Sequence, residues 1–325
     1  MKKILIFTMV VISLFFITSC TQEVEEHDVY VTVYPLQFIG EELFKDTEFT
    51  VGVVPGATSH EHSVEWAPKQ IIAMKEANLL FYIGANYDQY IDKKLNVFED
   101  ANVQLIRIED EADYIEYIPG VIHSHDHDDD HDDGDTHAFT EDETSLGIDP
   151  HFWVSPKRML DALELMYDYF KFEFPGIIDI LDINYLRLKV ELEELHLDYI
   201  ETITGMVKPA ITSTNLYGYL KEDYNLNFIP IAPGYHEQPD SMLAEEAEEI
   251  LHEIEIHDIT KLIYEEKRSS PATDSIFAEM ERLGLEPEKL DFDILQALPD
   301  SEVAEGKDYI TEMRVNLETL RQAGE

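Results

Sequence analysis

The sequence predicts an α/β fold with two mainly parallel sheets, and three observations support this prediction. Short segments rich in β-branched and aromatic residues alternate with helical segments in the first half of the chain, and the same alternation returns in the second half. One long helical segment lies between the halves. The length of 325 residues fits roughly two domains, and a hydrophobic content of 44% can fill a core in each.

The elements can be placed individually. In the first half, strands are predicted at Val29–Tyr34, Phe49–Val54, Leu79–Ile83 and Val103–Ile108, with helices over Pro68–Asn78 and Asp88–Ala101. In the second half, strands are predicted at Ala210–Thr214, Phe228–Ile231, Lys261–Tyr264 and Leu290–Leu295, with helices over Met242–Ile254 and Asp274–Leu283. Ligands of such folds bind where the parallel strands end, so the residues after these strands are candidate site residues.

The long central helix is predicted over Asp182–Gly205. Leu188, Leu192, Leu195 and Tyr199 recur at steps of four, three and four residues, with charged residues between them. At 1.5 Å per residue this helix would be roughly 30 to 35 Å long, enough to cross a small domain.

Charge and cysteine content exclude several classes of protein. With 23 Lys and Arg against 69 Asp and Glu, the formal net charge is −46, so most of the surface would repel a phosphate backbone. Nucleic acid is therefore not an expected partner. A single cysteine excludes a disulfide framework within the chain and a zinc cluster held by thiolates. Any metal site must therefore use histidine and carboxylate.

The N-terminus has the features of an export signal. Lys2 and Lys3 precede an apolar run from Ile4 to Ile17, which is shorter than the roughly 20 apolar residues that span a bilayer. We therefore expect residues 1–19 to be a signal peptide. The segment 17–20 resembles a bacterial lipobox, which implies that Cys20 becomes the lipidated first residue of the mature chain and that residues 20–28 form a tether on the outer face of the cell membrane, or on its periplasmic face.

A histidine- and aspartate-rich segment interrupts the first half. Residues 123–137 contain five histidines and seven aspartates in fifteen positions, a composition that cannot bury a core. Imidazole and carboxylate ligands suit zinc and similar divalent metals. The alternative is a solvated acidic loop, which would account for the aspartates but not for the concentration of histidine. The segment is predicted to collect metal ions weakly through His123, His125, His127, His131 and His137.

Isolated candidate ligands follow predicted strands and turns. His60 and His62 follow the second strand, His151 ends the metal-rich segment, and His236 and Asp293 lie near later strand ends. A lone histidine is more often a hydrogen-bonded or surface residue than a ligand. Together these positions suggest a metal site at one edge of the fold.

These residues lie in segments that resemble a known family. Residues 62–68 (HSVEWAP) resemble the family's PHxYEPxP segment, and 147–156 (GIDPHFWVSP) resemble its DPHxWLDP segment, the most specific match. Further matches are Val33-Tyr34-Pro35 in the first strand, Tyr217-Gly218-Tyr219, the strand end at 264–266 followed by Ser270-Pro271, Phe292–Leu295, and Tyr309–Leu320. The chain thus resembles the cluster A-I solute-binding proteins, lipoproteins that supply zinc or manganese to ABC importers, and its histidine-rich segment resembles the zinc branch.

The resemblance implies an architecture and a ligand set. It implies two (β/α) lobes, residues 29–175 and 207–325, joined by a rigid helix over residues 176–206, with the metal in the cleft between them. By position it makes His62, His151 and Asp293 ligands, while Thr214 occupies the third family position, which is usually His or Glu. Threonine is a poor ligand, so three repairs stay open: His236 supplies the fourth ligand, which we favour, His60 pairs with or replaces His62, or a water or loop histidine binds. Glu65 and Glu266 are candidates for orienting the imidazoles.

The expected function is capture of Zn²⁺, with Mn²⁺ as the other candidate, and delivery to a membrane permease by a monomeric, lipid-anchored and non-enzymatic protein. A surface metal buffer or adhesin on the same fold is the first alternative. An exported zinc hydrolase is the second, although the sequence contains no HExxH or GxSxG motif.

Overall fold

The computed structural model describes residues 25–57, 64–120, 147–232, 234, 244–265 and 269–325. These residues form two four-stranded sheets, each entirely parallel, with a long helix between them in the chain. The predicted two-sheet α/β fold is confirmed. Within this part of the chain, every helix is too short or too polar to cross a membrane.

The first sheet has the strand order β2-β1-β3-β4 and forms the N-terminal lobe. Its strands are short and their central residues are buried, as expected for a sheet covered on both faces. The elements of this part are β1 (Val29–Val31), α1 (Tyr34–Leu43), β2 (Val51–Val53), α2 (Pro68–Glu76), β3 (Leu79–Tyr82), α3 (Gln89–Asp92), β4 (Gln104–Arg107) and α4 (Pro156–Glu173).

The second sheet repeats this layout, with the order β6-β5-β7-β8. The register pairs Thr212 with Ile263 and Glu265 with Phe292, so β5, β7 and β8 end at the same edge. The elements of this part are β5 (Ala210–Thr212), α6 (Gly218–Tyr224), β6 (Phe228–Pro230), α7 (Ala244–Ile256), β7 (Lys261–Glu265), α8 (Pro271–Arg282), β8 (Glu288–Phe292), α9 (Asp300–Ala304) and α10 (Tyr309–Ala323).

Helix α5 (Ile178–Gly205) joins the two sheets and packs on α1 and α4 of one lobe and on α6 and α10 of the other. Its buried side follows the predicted periodicity and comprises Leu181, Asn184, Leu188, Leu192, Leu195, Tyr199 and Ile203. One hydrophobic core includes all of these residues except the polar Asn184, together with side chains of both lobes. The helix is therefore shared structure, and the two lobes are not separated by a flexible linker.

Three predicted elements differ from the structure. Tyr34 and Pro35 begin α1 and do not extend the first strand, because proline in the first helical turn favours a helix start. The helix predicted over Asp88–Ala101 is divided into α3 and a 3₁₀ turn at Leu95–Val97. Helix α5 begins at Ile178, four residues before the prediction.

Candidate metal centre

His151 lies at a turn that follows the histidine-rich segment and precedes a 3₁₀ turn, Phe152–Val154. It is only 1% exposed. Its Nδ1 lies 2.8 Å from Oδ1 of Asp149, and its main-chain N–H donates to the same oxygen at 2.9 Å. An ionised carboxylate only accepts hydrogen bonds, so Nδ1 carries the proton and Nε2 is the ring nitrogen whose lone pair a metal would use.

The main chain of Asp149 is fixed by both lobes. Its N–H donates to the carbonyl of Ile118 at 3.0 Å, and its carbonyl accepts from the Tyr219 hydroxyl of α6 at 2.8 Å. The main-chain N–H of Ile118 also donates to that hydroxyl, at 3.3 Å. The C-terminal lobe therefore helps to set the position of a ligand that belongs to the N-terminal lobe.

Trp153 connects the turn of His151 to the strand end of Asp293. Its indole Nε1 donates to the carbonyl of Ile294 at 2.8 Å, and its own carbonyl accepts from the Tyr309 hydroxyl at 2.6 Å. Trp153 is fully buried and packs edge-on against His151. These contacts place the predicted ligand positions 151 and 293 at the same interface between the lobes.

Asp293 follows directly after β8, at the end of the strand as the sequence predicted. Its main-chain N–H and carbonyl are both bonded by the side-chain amide of Asn316, at 2.9 and 2.7 Å. Its Oδ1 accepts from the N–H of Leu295 at 2.8 Å. Burial raises the pKa of Asp293. A cation bound nearby would act in the opposite direction and favour the ionised form.

Thr214 lies just beyond β5, next to a buried carboxylate. Its Oγ1 is buried and has no hydrogen-bond partner among the residues that the structure describes. Glu265, at the end of β7, accepts from the Tyr217 hydroxyl at 2.8 Å and contacts the Ser213 hydroxyl. Burial raises the pKa of Glu265. The carboxylate that the structure shows at the end of β7 is therefore that of Glu265. The predicted residue, Glu266, lies outside the described residues.

Several predicted site residues fall outside the described ranges. These are His60, His62, His236, Glu266, Cys20 and the five histidines of residues 123–137. Glu65 is described: it is exposed, and its Oε1 lies 3.3 Å from Nζ of Lys94. Within the described part of the chain, no three His, Cys, Asp or Glu side chains are grouped so that they could hold a metal ion.

Asp149 is the partner of His151 that the sequence did not lead us to predict. The residue was part of a quoted motif, but Glu65 and Glu266 were named as the candidates for orienting the imidazoles. The usable signal was the spacing, because an aspartate two residues before a histidine in a tight turn can bond both its N–H and its ring.

Comparisons with known proteins identify the family and support the fold. Residues 29–323 match the family described as ZnuA, zinc-uptake complex component A, periplasmic. The zinc-binding protein AdcA of Streptococcus pyogenes is 26% identical over 99% of this chain and 61% of its own length. The high-affinity zinc uptake system protein ZnuA of Bacillus subtilis is 24% identical over 91% of this chain and 86% of its own.

The crystal structure of the Zn(II)-bound ZnuA-like domain of Streptococcus pneumoniae AdcA has the same fold, with a TM-score of 0.68 and 21% identity over 92% of this chain and 99% of that domain. The chain spans about three fifths of the length of the AdcA relatives. The family match covers both lobes and the helix between them. The chain therefore belongs to the ZnuA family of zinc-uptake complex components.

Proposed function

We propose that this chain captures Zn²⁺ outside the cytoplasm and delivers it to the membrane permease of an ABC importer. The observation that carries the proposal is His151, a buried imidazole whose Nδ1 is bonded to Asp149, which makes Nε2 the atom that would bind the metal. Membership of a zinc-uptake family supports zinc as the cargo in preference to manganese. AdcA relatives named as zinc-binding lipoproteins support an extracytoplasmic site of action.

The proposed ligands are His62, His151 and Asp293, with His236 as the fourth and His60 as the alternative to His62. Two neutral imidazoles and one carboxylate leave a bound Zn²⁺ with a charge near +1, and a fourth protein ligand completes a tetrahedron. A closed site of this kind keeps out the water that a hydrolytic zinc enzyme needs, so the protein is a carrier and not an enzyme.

The remaining features complete the proposal. Cys20 is lipidated and holds the protein at the membrane, and one monomer binds one ion between lobes 29–175 and 207–325. The segment 123–137 collects metal weakly and supplies the tight site. Because the AdcA relatives are much longer than this chain, the permease partner is proposed from the family and not from those proteins.

The test is metal content and affinity of residues 21–325, measured by competition against a chromophoric chelator with Zn²⁺ and with Mn²⁺. We expect one tight Zn²⁺ per chain, which survives deletion of residues 123–137 and weakens at least about 100-fold in His151→Ala. His257→Ala is the matched control, because His257 pairs with Glu253 on the surface of the C-terminal lobe.

If the chain binds several ions weakly and loses this binding when residues 123–137 are deleted, the protein is a metal buffer and the proposal is wrong. Co-purification with a permease separates an importer from an adhesin on the same fold. Single His236→Ala and His60→Ala variants test which residue supplies the ligand that Thr214 does not. Only the variant that removes a true ligand should weaken zinc binding at the tight site.

A further inference from the structure

A cavity of about 250 Å³ lies between the lobes, beside the carboxylate that holds His151. Ile118 and Pro119 of the N-terminal lobe form one wall, together with Asp149. Helix α6 of the C-terminal lobe contributes Gly218, Lys221 and Glu222. The cavity therefore touches the orienting partner of the candidate ligand from the opposite lobe.

One carboxylate oxygen of Asp149, which lines this cavity, is unpaired within the described residues. Its Oδ1 accepts two N–H groups of His151, whereas its buried Oδ2 has no hydrogen-bond partner in the described part of the chain. A buried ionised carboxylate with a bare oxygen is unfavourable unless a donor meets it. The cavity must supply that donor.

Lys221 is the donor with the right charge and the right position. It lies three residues after Gly218 on α6, and side chains of a helix lean toward its N-terminus over the residue at i − 3. A Cβ on Gly218 would lie 2.9 Å from Oδ2 of Asp149, so glycine keeps this path open. Within the described residues the ammonium of Lys221 has no ion pair, and its flexible four-carbon stem can reorient into the cavity. Glu222 leans over the same glycine at i − 4 but carries the wrong charge.

We propose that Lys221 is a positioning residue whose Nζ donates to Oδ2 of Asp149 across the lobe interface. The ion pair fixes the plane of the Asp149 carboxylate. Oδ1 then holds the Nδ1–H of His151 and directs Nε2 toward the metal. The contact from the Tyr219 hydroxyl of α6 to the main chain of Asp149 already holds the two elements together. This inference rests on the proposed function, in which His151 is a zinc ligand.

The ion pair is tested first in the zinc-free protein, so that its outcome is independent of zinc binding. Ammonium groups of ¹⁵N-lysine give resolved NMR signals when an ion pair protects them from exchange with water. Lys157, which pairs with the buried Asp223, also gives a protected signal. We expect a further protected signal that is lost in Lys221→Met and in Asp149→Asn, and kept in Lys189→Met, which removes the same charge from α5. Absence of a signal that Lys221→Met removes, or persistence of that signal in Asp149→Asn, would overturn the proposal.

The positioning role is tested by zinc affinity in a double-mutant cycle. Lys221→Met should weaken zinc binding about threefold to tenfold, less than loss of a direct partner of a metal ligand. Lys221→Arg should restore it, Lys189→Met should leave it unchanged, and Lys221→Met should have no effect in an Asp149→Asn background.

Unchanged affinity in Lys221→Met would overturn the role even if the ion pair exists. Higher affinity in that variant would likewise overturn it. If the wild-type chain fails to bind zinc, the proposed function fails, while the NMR signal still decides the ion pair.

Discussion

His151 and Asp293 could be predicted as candidate ligands from the sequence, because each lies at a recognisable turn or strand end. The hydrogen-bond partners of these residues could not be identified in the same way. Asn316 bonds the main chain of Asp293 from 23 residues away, and Tyr219 bonds Asp149 from 70 residues away. Such contacts depend on tertiary packing, within the C-terminal lobe for Asn316 and between the lobes for Tyr219, and a local pattern contains no information about that packing.

Thr214 gives a prediction at the scale of a single residue. Its Oγ1 is buried without a described partner, and the side chain occupies the position where the family resemblance places a ligand. Thr214→His should raise zinc affinity about tenfold or more, because imidazole is a good ligand for zinc and a neutral hydroxyl is a poor one. The measurement is the chelator competition described above.

Thr202→His, on α5, is the control for adding a histidine away from the proposed site. The melting temperature of each variant is recorded, so that an unfolded protein is not mistaken for a weak binder. Equal affinity of a folded Thr214→His protein and the wild type would show that position 214 does not face the metal.

At the scale of elements, the sequence predicted the strands and the long helix but missed α1, α4, α6, α9 and α10. The strands were recognised because runs of β-branched residues are short and bounded by turns. Helix α4 begins at Pro156 after Ser155, a typical helix start, yet this segment was considered only as part of a motif. Helix α1 was hidden because Val33 and Tyr34 continue the strand-like composition of β1.

Helix α5 gives a prediction with an internal control. Leu192 is fully buried in the core shared by both lobes, whereas Leu197 on the same helix is 60% exposed. Leu192→Ala should lower the free energy of unfolding by about 3 kcal/mol through lost burial and a cavity. Leu197→Ala makes the same chemical change and should stay within about 0.5 kcal/mol of wild type. Urea denaturation measures both, and equal losses would show that α5 does not contribute through its buried face.

At the scale of the whole molecule, one buried carboxylate ties the lobes together. Asp223 of α6 accepts from Ser155 at 2.7 Å, from Lys157 at 2.9 Å and from Arg158 at 2.9 Å. Burial alone would raise the pKa of Asp223, but the hydrogen bonds from Arg158, Ser155 and Lys157 together lower it. Asp223→Asn should reduce the free energy of unfolding by about 3 kcal/mol, because it leaves the largely buried guanidinium of Arg158 without its partner.

The sign of the Asp223 pKa shift sets the pH dependence of this loss. A lowered pKa stabilises the folded state above the unfolded value of about 3.9, and that contribution disappears only as the pH falls through the folded pKa. The difference between wild type and Asp223→Asn should therefore be constant from about pH 8 to pH 5, as measured by urea denaturation. Asp198→Asn breaks an exposed pair with Arg314 and should cost less than about 1 kcal/mol. If the difference in the free energy of unfolding between wild type and Asp223→Asn varies over this range, another group causes the pH dependence.

The net charge of −46 gives a prediction about the rate of zinc capture. A negative field concentrates cations near the surface, and salt shortens its range from about 30 Å at 0.01 M to about 3 Å at 1 M ionic strength. Stopped-flow measurements of Zn²⁺ association should therefore show a rate constant that falls at least about tenfold over this range. The dissociation rate should change little, because the contacts that retain the ion are buried and poorly screened.

A series in sucrose at constant salt controls for viscosity. A constant association rate together with faster dissociation would mean that the acidic surface holds the ion and does not attract it.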